Sequence, residues 1–310
     1  MKIVIFGGGG FIGSAIADRL LQDGHALRIF ERPRVLPYRS FDSGETVEWV
    51  TGDFGSVHDI NQALDGVDAV FHLVSTTLPK SSNEDPVYDV QSNLVATLHL
   101  LEAMVAHQVK RIVFISSGGT VYGAPRYLPI DERHPTEPQV SYGITKLAIE
   151  KYLTIYQRNH GIKATILRVA NPYGERQRIE TAQGAVGVFS SRALSNQALE
   201  IWGDGSVTRD YLYVSDVADA FARAVAYTGD HTVFNISSGV GTSLNEMIAM
   251  LERALGRDVV RNYRPGRSFD VPSSVLDNSL ARLELEWAPR VTLEDGIART
   301  LDWMRNHGGK

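Results

Sequence analysis

Short apolar runs that alternate with helical patterns dominate the first half of the chain. Six such runs, each four or five residues long with few charges, lie at 3–6, 26–30, 47–50, 69–73, 111–115 and 164–167. Runs of this kind are typical of strands that are covered on both faces, as in parallel sheets. Between them apolar residues recur every three or four positions, as in Ile12, Ile16 and Leu20. The alternation predicts an α/β fold with a Rossmann-like, doubly wound parallel sheet.

The pattern changes after residue 168. A polar stretch at 176–187 predicts a loop over a site, and the later elements are predicted as strands at 199–202, 211–214 and 233–236 and helices at 215–227 and 244–255. Ser243 and Glu246 form a capping-box pattern at the start of the last helix. We expect a dinucleotide-binding domain at 1–170, to which about 211–237 returns, and an interleaved, smaller mixed α/β substrate-binding domain at 171–310.

Charge and composition exclude several classes of function. The chain has 31 Lys plus Arg against 36 Asp plus Glu, so it lacks the positive field that a nucleic-acid partner requires. Its apolar runs fall far short of the roughly 20 residues of a membrane span, so we expect no membrane partner. The absence of cysteine excludes disulfides and favours a cytoplasmic location. The nine histidines show no helical pairing with carboxylates, so no metal site is expected.

A glycine-rich turn follows the first predicted strand and opens a helix. Gly7, Gly10 and Gly13 have the spacing that lets a backbone approach a pyrophosphate at a helix N-terminus. Glu31 ends the second strand, where a carboxylate can bind both hydroxyls of an adenosine ribose and repel a 2′-phosphate. Arg32 and Arg34 follow and would suit NADP, but Glu31 favours NAD. The alternative for the glycines is a tight turn without a ligand, and the alternative for Glu31 is a solvated acid at a strand end.

Tyr142 and Lys146 are four residues apart, which places both on one face of a predicted helix. A tyrosine with a pKa near 10 needs about three units of lowering, roughly 4 kcal/mol, to act as a base at pH 7. We expect Lys146 and a positively charged nicotinamide to supply it. The stretch SSGGTVYG at 116–123 ends the fifth strand, where its hydroxyls could polarise a substrate oxygen. The alternatives are an exposed helical pair and a polar loop that bonds to its own backbone.

Taken together, these motifs resemble those of the extended short-chain dehydrogenase/reductase family over essentially the whole chain. The resemblance also includes Asp53, Asn93 and the stretches YGITK, LRVANPYG, TRDYLYVSD and RSFDVP, in family order. It implies that Tyr142 and Lys146 are catalytic and that Asn171, Arg209 and Arg267 hold a sugar nucleotide. It implies NAD contacts at Gly7, Gly10, Phe11, Ile12, Gly13, Glu31, Asp53, Phe54, Leu73, Asn93, Tyr142 and Lys146.

The chain departs from the family pattern at Gly118, where the family usually has Ser or Thr. The hydroxyl partner of the tyrosine must then come from Ser117 or Thr120, or be absent. The Thr-Asp-Glu pattern of the related 4,6-dehydratases is also missing, which disfavours dehydration. Ser274 corresponds to a position where bulk excludes N-acetyl sugars, and a serine leaves room for them.

The resemblance implies NAD-dependent 4-epimerisation of a UDP-hexose or UDP-N-acetylhexosamine through a 4-keto intermediate. Alternatives are a nucleotide-sugar 4-keto reductase or other nucleotide-sugar oxidoreductase, and, more remotely, a dinucleotide-sensing module without catalysis. The family resemblance also implies a homodimer, built from the helices around 93–106 and 142–156.

Overall fold

A seven-stranded parallel sheet forms the centre of the protein. The computed structural model describes residues 1–177, 184–266 and 271–307. The strands of this sheet are β1 (Lys2–Phe6), β2 (Ala26–Glu31), β3 (Val47–Thr51), β4 (Ala69–His72), β5 (Arg111–Ser117), β6 (Lys163–Val169) and β10 (Val233–Ile236). Their order across the sheet is β10-β6-β5-β4-β1-β2-β3. The predicted Rossmann-like fold class is confirmed.

Helices cover both faces of this sheet, because alternate strand residues point to opposite sides. Ile3 and Ile5 pack in one apolar core with α1 (Phe11–Gln22) and α7 (Val214–Ala226), whereas Val4 and Phe6 pack in the other. The second core is closed by α2 (Val57–Leu64), α4 (Ala96–Ala106) and α5 (Ser141–His160). Strands buried on both sides explain why the sequence shows continuous apolar runs rather than alternation.

The connection between β4 and α4 contains elements that the sequence analysis did not predict. A short helix, α3 (Pro86–Asp89), leads into a π-helix at Val90–Val95, which α4 continues. Leu94 lies in the π-helix and Leu98 and Leu101 lie in α4, so their three- and four-residue spacing does not reveal the change of helix type. Turns of π-helix are frequent at functional sites, and this one carries Asn93.

The second region is built around two small sheets. One contains β7 (Asn171–Tyr173), β9 (Thr208–Tyr213), β11 (Gly241–Ser243) and β13 (Ser273–Ser274), and the other pairs β8 (Leu199–Trp202) with β12 (Arg261–Arg264). Its helices are α6 (Ala185–Leu194), α8 (Leu244–Leu255) and α10 (Leu293–His307), whereas α9 (Ser279–Glu284) packs on β10 and buries Ala281 in the first core. A third core unites β8, β9, α6, α8 and α10. The capping box of Ser243 and Glu246 is confirmed at the start of α8.

Two sequence-based assignments change in the structure. Of the segment 211–237, α7 packs on α1 and β10 joins the central sheet, but the residues before 214 belong to β9 in the small sheet. Tyr211 and Tyr213 are drawn into the third core there, which a local apolar run cannot reveal. The loop predicted at 176–187 is wrong from Ala185, where α6 begins, and its residues 178–183 lie outside the described ones. The domain limits stay a prediction.

No helix in the described ranges is long and apolar enough to cross a membrane.

Candidate active site

The N-terminus of α1 has the features of an anion-binding helix end. Gly10 is its N-cap, no side chain caps it, and the first turn carries no acidic residue. Gly7 has a φ of 89°, and a Cβ at Gly13 would lie 2.1 Å from the carbonyl oxygen of Gly7. Only glycine therefore allows the helix to start this close to β1. The backbone N–H groups and the helix dipole fit a pyrophosphate at this point.

Glu31 is held beside this turn at the end of β2. Its Oε1 accepts a hydrogen bond from the Gly9 N–H at 3.0 Å, and its Oε2 accepts one from the Arg32 N–H at 3.3 Å. An open cleft of about 710 Å³ lies next to it, lined by Gly9 and by residues 32–36. Each carboxylate oxygen keeps a lone pair for a ribose hydroxyl. The placement fits NAD rather than NADP, because a 2′-phosphate would meet this carboxylate.

Tyr142 and Lys146 lie in the first two turns of α5. The Lys146 side chain is only 3% exposed, and its Nζ donates a hydrogen bond to the carbonyl oxygen of Ile115 at 3.0 Å. The same nitrogen lies 5.6 Å from the centre of the Tyr142 ring. Burial lowers the pKa of Lys146 to about 8, although Asp89 and Glu150 raise it. The two side chains thus share one face of the helix, as their spacing predicts.

The protein's own groups do not lower the pKa of Tyr142. Burial, with a smaller contribution from Asp89, raises the pKa of this phenol to about 12, and a hydrogen bond with Ser75 opposes the rise. The polypeptide alone therefore does not supply the lowering that was expected from Lys146 and a nicotinamide together. Desolvation disfavours the phenolate, and the neighbouring carboxylate adds to the effect. A further positive charge is needed at this point.

Two observations argue against positions 118 and 117 as the source of a hydroxyl next to Tyr142. A Cβ at Gly118 would lie 2.4 Å from Cδ1 of Leu276, so a Ser or Thr there would have to displace this buried side chain. The hydroxyl of Ser116 bonds to Glu150 on α5, and because strand side chains alternate, Ser117 points to the other face of the sheet. Ser117 is therefore badly placed to reach the tyrosine.

Thr120 lies against the start of α5. Its carbonyl oxygen would be 2.8 Å from a Cβ at Gly143, which follows Tyr142 directly. Its Oγ1 is buried and has no hydrogen-bond partner among the described residues. A buried, unsatisfied hydroxyl calls for an explanation, and a bound substrate oxygen would provide one.

The other predicted NAD contacts vary in placement. Leu73 is adjacent to Gly7, because a Cβ on that glycine would lie 3.5 Å from the Leu73 carbonyl carbon. The Phe54 ring is buried in the second core, against Phe6 and beside His72. Asp53 is exposed and accepts the N–H of Gly55 at 2.9 Å.

Asn93 is nearly buried and acts within the protein. Its Oδ1 accepts a hydrogen bond from the Thr76 N–H at 2.9 Å, and its Nδ2 donates to Thr77 and Asp89. It thereby shapes the segment that follows β4.

The predicted substrate residues gather on the small sheet. Asn171 on β7 donates to the carbonyl oxygen of Asp210 at 2.9 Å, and Arg209 on β9 donates to that of Val271 at 2.7 Å. Ser274 on β13 is the register partner of Arg209. Arg267 lies outside the described residues.

The sequence analysis missed two buried carboxylates, one beside the predicted substrate residues and one beside Tyr142 and Lys146. Asp210 accepts hydrogen bonds from Ser238, Gly239 and Leu276 and holds the strand that carries Arg209. Asp89 lies beside Tyr142 and Lys146 and raises the pKa of both. Asp210 has a sequence signal, since it is a lone acid in the run TRDYLYV, whereas Asp89 sits in a polar stretch and has none.

A sequence model of the NAD dependent epimerase/dehydratase family matches residues 3–237. The chain belongs to this family. A UDP-glucose 4-epimerase of Mycolicibacterium smegmatis is 36% identical over 315 residues, which cover 99% of each chain. The crystal structure of a UDP-glucose 4-epimerase with UDP-glucose from Thermotoga maritima superposes with a TM-score of 0.92 at 34% identity, covering 99% of each chain.

A third similar protein widens the range of sugars. The structure of a UDP-N-acetylglucosamine 4-epimerase from Methanobrevibacter ruminantium, in complex with UDP-N-acetylmuramic acid, has a TM-score of 0.91. It is 27% identical and covers 98% of both chains. The family membership confirms the resemblance on which the sequence analysis relied, and the chain is accordingly an NAD-dependent enzyme of the extended short-chain dehydrogenase/reductase type.

Among the ranges that the structure describes, no group of three or more His, Asp or Glu side chains could hold a metal ion.

Proposed function

We propose that the protein is an NAD-dependent 4-epimerase of a UDP-hexose or UDP-N-acetylhexosamine, which acts through a 4-keto sugar. The observation that carries the proposal is the buried pair of Tyr142 and Lys146 at the carboxyl edge of the sheet, in a chain that matches UDP-glucose 4-epimerases over its full length. Ligands of open α/β sheets bind at this edge. The same residues give no support to 4,6-dehydration, because Gly118 and Gly119 supply neither acid nor base.

Each part of the site has a chemical task. The glycine turn and Glu31 would hold NAD, which would supply the acceptor for the hydride of C4 and the donor for its return. Tyr142 takes the proton of the C4 hydroxyl on its phenolic oxygen and gives it back to the same oxygen after the sugar has turned over. Lys146, kept charged below a pH of about 8, stabilises the phenolate. Since proton and hydride both return, the net reaction is an isomerisation.

The role of Lys146 depends on the positive charge that oxidised nicotinamide brings to the site. With protein groups alone the pKa of Tyr142 is about 12, so the phenol is almost fully protonated at pH 7. A cation placed beside the ring favours the phenolate. The tyrosine is therefore a base only in the enzyme that holds oxidised NAD. When the nicotinamide carries no positive charge, the high pKa of the phenol makes it a proton donor.

The function is tested with pure protein, UDP-glucose, UDP-galactose and their two N-acetyl forms, without added NAD. We expect at least one pair to interconvert, as followed by NMR or chromatography, because the cofactor stays bound through each cycle. Lack of interconversion of all four sugars would contradict the proposal. Net consumption of added NADH or NADPH would favour the 4-keto reductase instead. Interconversion of the N-acetyl pair would support the role of Ser274 as a small residue that leaves space for the acetamido group.

Thr120 is the hydroxyl that we propose as the partner of the C4 oxygen. Replacing Thr120 by Val keeps the shape and removes the hydroxyl, and we expect kcat/KM to fall about 10- to 100-fold, the value of one lost hydrogen bond at a buried site. The matched change Ser117→Ala should alter kcat/KM by less than about threefold. Equal losses in the two variants, or a larger loss for Ser117→Ala, would assign the role differently.

A homodimer is also proposed, through the face formed by α3, the π-helix and α5. Five apolar side chains on this face are exposed, namely Val87, Val90, Val95, Ile144 and Ile155. The three elements pack against one another, and apolar side chains exposed on neighbouring elements are typical of an interface. Sedimentation should give twice the mass of 34.2 kDa, and Ile144→Glu should give the single mass. A wild-type monomer at micromolar concentration would refute this.

The cytoplasmic location remains part of the proposal. A chain without cysteine suits a reducing compartment, and recovery of the protein in a membrane or extracellular fraction would contradict it.

A further inference from the structure

Asp89, the last residue of α3, is a carboxylate that the proposed reaction does not use. It is 0% exposed, and its two oxygens accept hydrogen bonds from four side chains. The donors are Thr77 Oγ1, Asn93 Nδ2 at 3.1 Å, Ser141 Oγ at 2.7 Å and Thr145 Oγ1 at 2.8 Å. None of the ion pairs within 1–177, 184–266 and 271–307 includes it.

These donors come from three separate elements. Thr77 follows β4, Asn93 belongs to the π-helix, and Ser141 and Thr145 lie in the first two turns of α5. Ser141 and Thr145 directly precede Tyr142 and Lys146 in the chain. One carboxylate therefore joins the segment after β4 and the π-helix to the two residues of α5 that directly precede Tyr142 and Lys146.

Folding alone does not require a full charge at this position. A buried carboxylate without a cation costs several kcal/mol, which hydrogen bonds only partly offset. An amide of the same shape could join the same elements, because Ser and Thr hydroxyls donate or accept equally well. The negative charge itself thus calls for a role.

We infer, on the basis of the proposed function, that Asp89 is a positioning residue that orients Tyr142 and Lys146 through Ser141 and Thr145 and sets the charge of both. Its negative charge keeps the buried Lys146 ammonium protonated. It also delays loss of the Tyr142 proton until a second positive charge lies beside the ring. The phenol is then a base when the nicotinamide is oxidised and an acid when it is reduced, as the two halves of an epimerisation require.

Glu150 is a second carboxylate near the pair and shares part of this effect. It lies one turn further along α5 and also raises the pKa of Lys146, but it forms a buried ion pair with Arg168 of β6 at 2.6 Å. His72 at the end of β4 is neutral, because burial lowers its pKa well below the ordinary value. Among the described residues, Asp89 is thus the carboxylate that raises the pKa of both Tyr142 and Lys146.

The variant Asp89→Asn removes the charge and keeps the shape. Asp89 raises the pKa of both Tyr142 and Lys146, so both values should fall when the charge is lost. The acidic limb of the kcat/KM profile follows the base, and the alkaline limb follows the ammonium. We expect both limbs to move to lower pH by about one unit. A purely structural role would lower the plateau and leave the limbs in place.

A second readout does not need turnover. The ε-carbon resonance of Lys146, assigned with Lys146→Arg and titrated by NMR without sugar, should have its midpoint shifted to lower pH in Asp89→Asn. Should this variant not fold, Asp89→Ser also lacks the charge and carries the same expectation. Thr145→Val keeps the charge and loses one hydrogen bond, so it should lower kcat with unmoved limbs.

Asp216→Asn is the matched control. Asp216 is buried as well, but it accepts the N–H groups of Arg290 and Val291 away from the site, so its replacement should leave the profile and the Lys146 midpoint unchanged. Unmoved limbs and an unmoved midpoint in folded Asp89→Asn would overturn the inference. A wild type without epimerase activity would instead defeat the proposed function, and the NMR midpoint would still decide the role of Asp89.

Discussion

Replacing Tyr142 by Phe is expected to lower kcat by at least about 10³-fold and to leave NAD bound. The change removes only the hydroxyl that is proposed to carry the proton between enzyme and sugar, and general acid–base catalysis contributes about 10² to 10⁴-fold. The ring remains in its place, packed next to Lys146, so folding should be preserved. Interconversion of the responsive UDP-sugar pair measures the rate, and the absorbance and release of the nucleotide on denaturation measure the bound cofactor.

Tyr152→Phe provides the matched control for this experiment. Tyr152 lies on the same helix, is exposed, and does not touch the catalytic pair. Its hydroxyl should be dispensable, with kcat within about twofold of the wild type. If Tyr142→Phe kept more than a tenth of the wild-type turnover, the phenol could not be the base, and another group would have to move the C4 proton.

Replacing Arg168 by Ala is expected to cost about 3–5 kcal/mol of the free energy of unfolding. The Arg168 and Glu150 side chains are 5% and 3% exposed, and two hydrogen bonds join them. Removal of the guanidinium leaves the Glu150 carboxylate buried between β6 and α5 without a cation. Urea unfolding followed by circular dichroism measures the loss. Because Glu150 lies one turn from Lys146, activity should fall in parallel.

Arg126→Ala tests whether burial is the reason for the large loss of stability expected in Arg168→Ala. Arg126 forms the same kind of ion pair with Glu137, but the two side chains are 59% and 61% exposed. An exposed pair contributes at most about 1 kcal/mol, so this variant should unfold at nearly the wild-type urea concentration. Similar losses for the two arginines would show that the buried pair does not stabilise the protein as argued.

The sequence predicted the parts of the site whose signal is local. Gly7, Gly10 and Gly13 can be identified because a tight strand-to-helix turn needs glycine at fixed spacing, and a Cβ at Gly13 would indeed meet the Gly7 carbonyl. Glu31 is predicted by its distance from that turn, and Tyr142 and Lys146 share a face because a helix repeats every 3.6 residues. Each of these inferences depends on a few neighbouring residues and one regular geometry.

Properties set by contacts between distant segments could not be predicted in this way. With protein groups alone the pKa of Tyr142 is raised, because the phenol is desolvated and lies near Asp89, which is 53 residues away in the chain. The choice between Ser117 and Thr120 depends on the contact of Ser116 with Glu150 of α5 and on the burial of the Thr120 hydroxyl. The strand β9 looks like part of the central sheet until its pairing with β7 is known.

By itself, then, the sequence determined the α/β fold class, the glycine turn that accepts a dinucleotide and the tyrosine–lysine pair, since periodicity and spacing are properties of adjacent residues. Only the tertiary structure decided which of the two candidate hydroxyls is buried without a partner among the described residues, which strand belongs to which sheet, and which side chains surround Asp89. Burial and electrostatics depend on everything that packs around a group, and residues far apart in the chain supply most of those neighbours.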